Sequence, residues 1–315
     1  MTVHQLQGIP PPALAQNLME FETQFTYPFG TERRFRISHG DDYPRFFRAM
    51  GEAVCFVAEQ GGYVAGTLGA SLRRLRLPNG RESIVMYLGD LKVSPAVRNG
   101  SALLCLMRSA QAWARRRVSA AFSVVMNGTG VTPDTYTGRL GVPPFRELGK
   151  VVVLRFSSAT NGSLRKSRFM ATGVAGRACY QRLSKGRYAS TGGDPRERSE
   201  TAPVWLIHPD GTACGCLEDT RRAKRLIDTG GAEMINAHLS CFAFHTPAAG
   251  AELILAALQH AGQQGFPALF VAVASPEVEG IRAALDGLAA IAAPATIYGT
   301  GITPGPLWNI NTAEI

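Results

Sequence analysis

The sequence predicts a mixed α/β protein: two similar domains in tandem, each a mixed, mostly antiparallel sheet flanked by helices. Three observations carry that expectation. At 315 residues the chain exceeds one ordinary domain and suggests two of about 150 residues each. Long strand-like apolar runs are joined by Gly-Gly and Pro-Asn-Gly turns, with a few segments of helical spacing between them. The order of these segments then repeats in the second half.

The N-terminal segment holds a short helical stretch, ALAQNLMEFETQF, and RRFRI follows as a strand. DDYPRFFRAMG opens with acids, as a helix start does. AVCFVAEQ, YVAGTLGASLRRLRL and SIVMYLGDLKV alternate or run apolar and read as successive antiparallel strands. In SALLCLMRSAQAWARRR, Leu103, Leu104, Met107, Ala110 and Ala114 fall near helical spacing, and arginines gather at the end where the helix dipole favours them. AAFSVVMN is the next strand, TPDTYTGRLG a short helix, and GKVVVLRF closes the half. The second half repeats the outline. APVWLIHPDGTACGCLED gives two strands about a Pro-Asp-Gly turn, EMINAHLSCFAF another, and AGAELILAALQHAGQQG a helix. PALFVAVAS, SPEVEGIRAALDGL and PATIYGTGI then read as strand, helix and strand. With Val93 laid on Phe244, Arg98 and Asn99 meet Ala249 and Gly250, and Cys241 falls at the position of Asp90.

The net charge of +9 is local: Arg155 to Arg198 holds ten basic residues and two acids. That stretch reads as a connector with one ordered piece around GRACYQRL, either a solvated linker or a basic surface for an anionic partner. Few aromatics and no recognition motif argue against nucleic acid. No run reaches the roughly 20 apolar residues of a membrane span, and the start lacks a signal-peptide pattern, so a soluble, cytoplasmic protein is expected. The six cysteines read as reduced core residues, and no metal site is expected: Cys214 and Cys216 flank one glycine with no matching second pair. The phosphate-loop, dinucleotide, zincin and nucleophile-elbow motifs are all missing.

One motif carries chemistry. VSPAVRNGSALL, after an apolar strand and before a helix, resembles the acyl-CoA-binding turn of the GNAT acyltransferase superfamily, V-x-P-x-x-R followed by a Gly-rich loop. Asn127, and then Tyr136, Leu140 and Gly141, are similar to that family's asparagine and its downstream tyrosine-to-glycine segment. The likeness covers about residues 33–157 and, as element order, extends to the second half, which makes the chain similar to tandem GNAT proteins with a degenerate second domain. The sequence departs from the family loop after Arg98, where Asn99, Gly100, Ser101 and Ala102 stand in place of paired glycines, and the interval from Asn127 to Tyr136 is longer. Unpaired backbone N–H groups at a helix N-terminus still suit a pyrophosphate when the side chains are small. The alternative is a plain helix start capped by Ser101 or Asn99.

The resemblance implies acyl transfer from acetyl-CoA or another acyl-CoA to an amine. Leu91, Lys92, Val93, Arg98, Asn99, Gly100, Ser101, Ala102 and Asn127 would hold the cofactor. Asp90 is the expected base, its pKa raised by burial, and Tyr136 the acid that protonates the departing thiolate. Against these roles stand a structural Asp90 paired with Lys92 or an arginine of RRLRL, and a Tyr136 that merely packs a helix on the sheet. The expected organisation is an N-terminal extension (1–32), a cofactor-binding domain (33–157), a basic linker (158–202) and a degenerate second domain (203–315). A small-molecule acceptor is favoured over a protein, and Arg73, Arg74, Arg76 and Arg81 favour one bearing a carboxylate or phosphate. Two other readings stand beside this one: an acyl-carrier-protein-dependent transferase, whose acidic partner the basic stretch would suit, and a catalytically silent scaffold. An oligomer is left open.

Overall fold

Residues 1–29, 33–97, 100–158 and 169–315 are described by the computed structural model. The first half runs β1 (Thr2–Leu6), α1 (Pro12–Glu22), β2 (Tyr27–Phe29), β3 (Arg33–Ser38), α2 (Arg45–Arg48), β4 (Glu52–Gln60), β5 (Tyr63–Arg76), β6 (Glu82–Val93), α3 (Ser101–Ala114), β7 (Ala121–Met126), α4 (Pro133–Tyr136) and β8 (Arg146–Ser157). The second runs β9 (Met170–Ala171), α5 (Gly173–Leu183), β10 (Tyr188–Thr191), α6 (Pro195–Arg198), β11 (Val204–Ile207), β12 (Ala213–Glu218), β13 (Arg225–Asp228), β14 (Ala237–Phe244), α7 (Pro247–Gln263), β15 (Ala268–Ala274), α8 (Val278–Ala284), β16 (Ala290–Thr300) and β17 (Trp308–Asn309).

The alternating runs of the sequence become one sheet that spans both halves, in the order β1-β4-β5-β6-β7-β16-β8-β15-β14-β12-β11-β9. The two repeats exchange their closing strands. β16 of the second half lies between β7 and β8, from Ala295↔Met126 on one side to Ala290↔Phe156 on the other. β8 of the first half likewise pairs with β15, from Ala268↔Ser157 to Ala274↔Val151. A smaller sheet, β13-β3-β2, also joins the halves, with Leu226 opposite Ile37.

Helices cover the sheet on both faces, as sheet-burial rules require. α3 lays Ala102, Leu106 and Ala110 on one side of β4 to β6, with Val54, Phe56, Leu68 and Leu88 beneath. On the other side α1 contributes Leu18 and Phe21, α2 contributes Phe47, and Tyr43 just before α2 joins them, all buried with Tyr87 and Phe122. The stretch expected as an N-terminal extension is built into this frame, because β1 pairs with β4 from Thr2↔Glu59 to Leu6↔Cys55.

The basic stretch expected as a connector carries four regular elements in its described part: β9, α5, β10 and α6. Thr172 caps α5, its Oγ1 accepting from Ala175 N–H at 3.3 Å. A Cβ added at Gly176 would lie 2.2 Å from the Trp205 ring, so glycine there lets the helix sit directly on β11. α5 holds the ordered piece expected around GRACYQRL, while two glycines and exposed arginines thin its apolar signal.

Candidate functional site

Strands β6 and β7 run parallel but share only two registered pairs, Met86↔Ala121 and Tyr87↔Phe122. Beyond them the registered pairing of the two strands ends, while β7 stays paired with β16 on its other edge. Leu91 and Val93 on one strand and Val124, Val125 and Met126 on the other are half-buried where the strands part. At the end of this slot stands the N-terminus of α3. Gly100 precedes that helix at φ +70°, a left-handed conformation that suits glycine, and no side chain caps the helix among the described residues. A Cβ at Gly100 would meet nothing within 4 Å among the described residues. Ser101 and Ala102 form the first turn behind it. Arg98 and Asn99 lie outside the described residues.

A β-bulge sets the position of Asp90. Thr67 pairs with Lys92 and Gly69 with Gly89, so Asp90 and Leu91 face Leu68 alone. Asp90 takes φ +54°, and Thr67 Oγ1 donates to its carbonyl at 3.1 Å. α2 presses on the same spot. The Phe47 ring occupies the space a Cβ at Gly69 would need, 2.0 Å away, and Tyr43, one turn earlier, donates its hydroxyl to the Asp90 carboxylate.

Around Asp90 lies a buried polar cluster. Lys92 Nζ lies 2.6 Å from Asp90 Oδ1 and 3.3 Å from Glu22 Oε1. His39 Nδ1 lies 2.6 Å from Glu22 Oε1, and the His39 backbone N–H donates to Glu22 Oε2 at 3.0 Å. Glu22, His39 and Asp90 could together offer three ligand atoms to a metal ion, but the Lys92 ammonium is already seated against both carboxylates. Glu22 and His39 were not foreseen from the sequence. Glu22 had one signal: it follows Leu18 at helical spacing and so shares the buried face of α1.

The electrostatics reverse one expectation. Burial alone pushes the Asp90 carboxyl up, but the Lys92 and His39 charges and the bonds from Lys92 and Tyr43 outweigh it and hold it at about 2. Its partners thus favour the ionised carboxylate over the protonated form. Lys92, disfavoured by burial but flanked by Asp90 and Glu22, is held above the usual lysine range. Lys224, which donates to the backbone oxygen of Ile315 and has its Nζ 4.6 Å from the Phe46 ring, is pulled down to about 8 by burial.

The other expected residues are spread along the slot. Asn127 follows β7, its N–H donating to Pro294 O at 2.8 Å and its Oδ1 accepting from Thr296 Oγ1 at 3.0 Å, both on β16. Tyr136 closes α4, which contacts β8, and burial and Asp134 push its phenol up to about 12. None of the groups bonded to Asp90 belongs to α4. Of the four arginines expected to favour an anionic acceptor, Arg73 is buried against Glu314 at 2.6 Å and Arg76 bonds Glu82 at 3.1 Å.

In the second repeat the corresponding slot is closed. β14 and β15 share Ala237↔Leu269, His238↔Phe270 and Leu239↔Val271 before diverging. The Thr246 side chain caps α7 by accepting from Ala249 N–H at 3.3 Å, with Pro247 at the first helical position. Only two residues separate β14 from α7, against seven between β6 and α3, so the counted match of Arg98 and Asn99 to Ala249 and Gly250 fails: both lie inside α7. Arg187, bonded to Glu277 just after β15, lies 5.6 Å from the Phe244 ring at the end of β14 and spans the opening.

No protein-family model and no curated protein sequence matches the chain. Among solved structures it is similar to Saccharomyces cerevisiae N-myristoyltransferase with bound myristoyl-CoA, at TM-score 0.64 and 9% identity over 99% of this chain and 87% of that one. Two further structures of the yeast enzyme, one of them with bound myristoyl-CoA and inhibitors, match at TM-score 0.64, with 10% and 9% identity over 82% and 84% of their chains. The fold is GNAT-like. N-myristoyltransferases belong to that superfamily, and the match runs through both repeats.

Proposed function

We propose that this chain is an acyl-CoA-dependent N-acyltransferase that moves an acyl group to an amine by direct attack on the thioester. One observation carries the reading: β6 and β7 part beyond Tyr87 and Phe122 beside the left-handed Gly100 that starts α3. A CoA thioester supplies an acyl carbon open to attack and a thiolate as leaving group. Backbone groups of Leu91, Lys92 and Val93 would line the acyl and pantetheine part, and Gly100, Ser101 and Ala102 would receive the pyrophosphate on N–H groups of the helix start. Arg98 and Asn99 join that turn from the sequence alone, and Asn127 holds the far side of the slot to β16.

Asp90, ionised at neutral pH, would orient the acceptor nitrogen, which attacks as the free amine and gives up its proton to solvent, with Tyr43 and Lys92 fixing Asp90's own position. Tyr136, kept protonated by its raised pKa, is the donor for the thiolate. Acetyl-CoA is the donor read from the sequence, and the likeness to N-myristoyltransferase makes a long-chain acyl-CoA the necessary comparison.

Titration calorimetry with acetyl-CoA and myristoyl-CoA, on wild type and Arg98→Ala, tests the reading. Micromolar binding of one donor is expected, weakened at least tenfold in the variant, which is about 1.4 kcal/mol. Absence of binding by either acyl-CoA overturns it and turns attention to an acyl-carrier-protein donor, whose docking would weaken steeply with salt.

A further inference from the structure

We propose that His208 is a pH-sensitive latch, which ties the β11–β12 hairpin to α7 while its imidazole carries two protons and lets α7 go when one is lost. His208 follows β11 and opens the hairpin turn, its carbonyl accepting from Gly211 N–H at 2.7 Å. Each of its ring nitrogens meets a carboxylate. Nδ1 lies 2.5 Å from Asp210 Oδ1, within the turn, and Nε2 lies 2.9 Å from Glu252 Oε2, on the second turn of α7. The Phe169 ring, just before β9, stands edge-on to the imidazole at 5.5 Å, so three separate elements meet on this one side chain.

Proton counting makes the contact conditional. An ionised carboxylate only accepts, so two of them need two N–H donors, which the imidazolium has and the neutral ring lacks. Asp210 is the partner that stays. Its Oδ1 also accepts from the Thr212 backbone N–H at 2.9 Å and from Thr212 Oγ1, and those bonds hold its carboxyl down at about 2. Glu252 is 61% exposed and makes no other ion pair or side-chain hydrogen bond among the described residues. The proton therefore leaves from Nε2, and the Glu252 side chain turns to solvent. Other charges at the turn do not replace it: Arg182 of α5 bonds the Gly211 carbonyl at 2.6 Å, and His245, after β14, meets the Thr212 carbonyl through its backbone N–H at 2.8 Å. Burial works against the charged ring, but the bonds to Glu252 and Asp210 outweigh it and hold the imidazole above its ordinary 6.5. The latch is thus fully closed below that value and opens as pH rises through the raised one.

Histidine NMR and amide hydrogen exchange on the intact chain test this at about pH 5.5 and about pH 8.5. After correction for intrinsic exchange, wild-type amides of 206–213 and of the second turn of α7 are expected to lose about tenfold in protection at the higher pH. Glu252→Gln keeps a partner in both states, because an amide can accept from Nε2–H or donate to its lone pair, so protection should stay level. Glu252→Ala, an exposed change, should lower the His208 titration midpoint and leave the hairpin open at both pH values. An unchanged His208 midpoint in Glu252→Ala, or the same pH course of exchange in wild type and Glu252→Gln, would overturn the proposal.

Discussion

The two repeats carry the same bulge with different contents. In each, two residues of one strand face a single residue of the next: Asp90 and Leu91 opposite Leu68, and Cys241 and Phe242 opposite Gly215. The first bulge residue is left-handed in both, at φ +54° for Asp90 and +50° for Cys241. Even the tether repeats. Thr67 donates to the Asp90 carbonyl at 3.1 Å, and Cys214 Sγ reaches the Cys241 carbonyl at 4.0 Å. Yet Asp90 sits among Lys92, Glu22, His39 and Tyr43 where β6 and β7 part, whereas the Cys241 N–H donates to Asn311 Oδ1 beside a capped helix and the Arg187–Glu277 ion pair. A strained backbone is kept in both places. What separates the repeats is the length of the turn that follows and the charge around the bulge.

The most severe way to break this pairing is to remove one member. Deleting residues 203–315 takes β16 from between β7 and β8 and Glu314 from Arg73, and it is expected to abolish folding of the remainder. Circular dichroism and gel filtration read the result. A fragment that unfolds cooperatively would show the first repeat to be self-sufficient.

A smaller effect separates the two bulges directly. Asp90→Ala leaves buried Lys92 with Glu22 as its carboxylate partner and is expected to cost about 3 kcal/mol, whereas Cys241→Ala should cost less than about 1 kcal/mol. Acid titration sharpens the contrast. A carboxyl held at about 2 against an ordinary 3.8 stabilises the fold fully above the higher value and loses that contribution as pH falls toward the lower. Stability of wild type should therefore drop between about pH 4 and 2 by a component that Asp90→Ala lacks. If denaturation midpoints of the two fall in parallel, the Lys92 pairing is energetically idle.

The smallest effect concerns the helix starts. Thr246→Ala should cost about 1 kcal/mol in stability and leave acyl-CoA binding unchanged, because that cap serves only α7. A loss of donor affinity would mean that the second slot takes part.

Much of the fold was legible because its strands announce themselves locally. YVAGTLGASLRRLRL and SIVMYLGDLKV became β5 and β6, and the equivalence of Cys241 with Asp90 could be counted directly from element order. Strand exchange could not be read, since β8 and β16 look alike whichever partner they choose, and pairing is settled by tertiary contacts. Nor could the Asp90 cluster. Glu22 and His39 stand 68 and 51 residues before Asp90, on α1 and after β3, and only packing unites them. The pKa of Asp90 was misjudged for the same reason: burial was foreseen, but two of the three groups that oppose it, His39 and Tyr43, were not.

The exchanged strands also govern how such a chain is made. β7 is complete at Met126, but the strand that pairs with its outer edge does not begin until Ala290. During synthesis the first repeat must wait with that edge exposed, or pair it provisionally with β8 and later release it. Contacts of such long sequence separation slow folding and prolong the exposure of sticky edges. Until β16 is made, two nascent copies can satisfy each other's edges through residues 121–126, a hazard that the finished sheet removes.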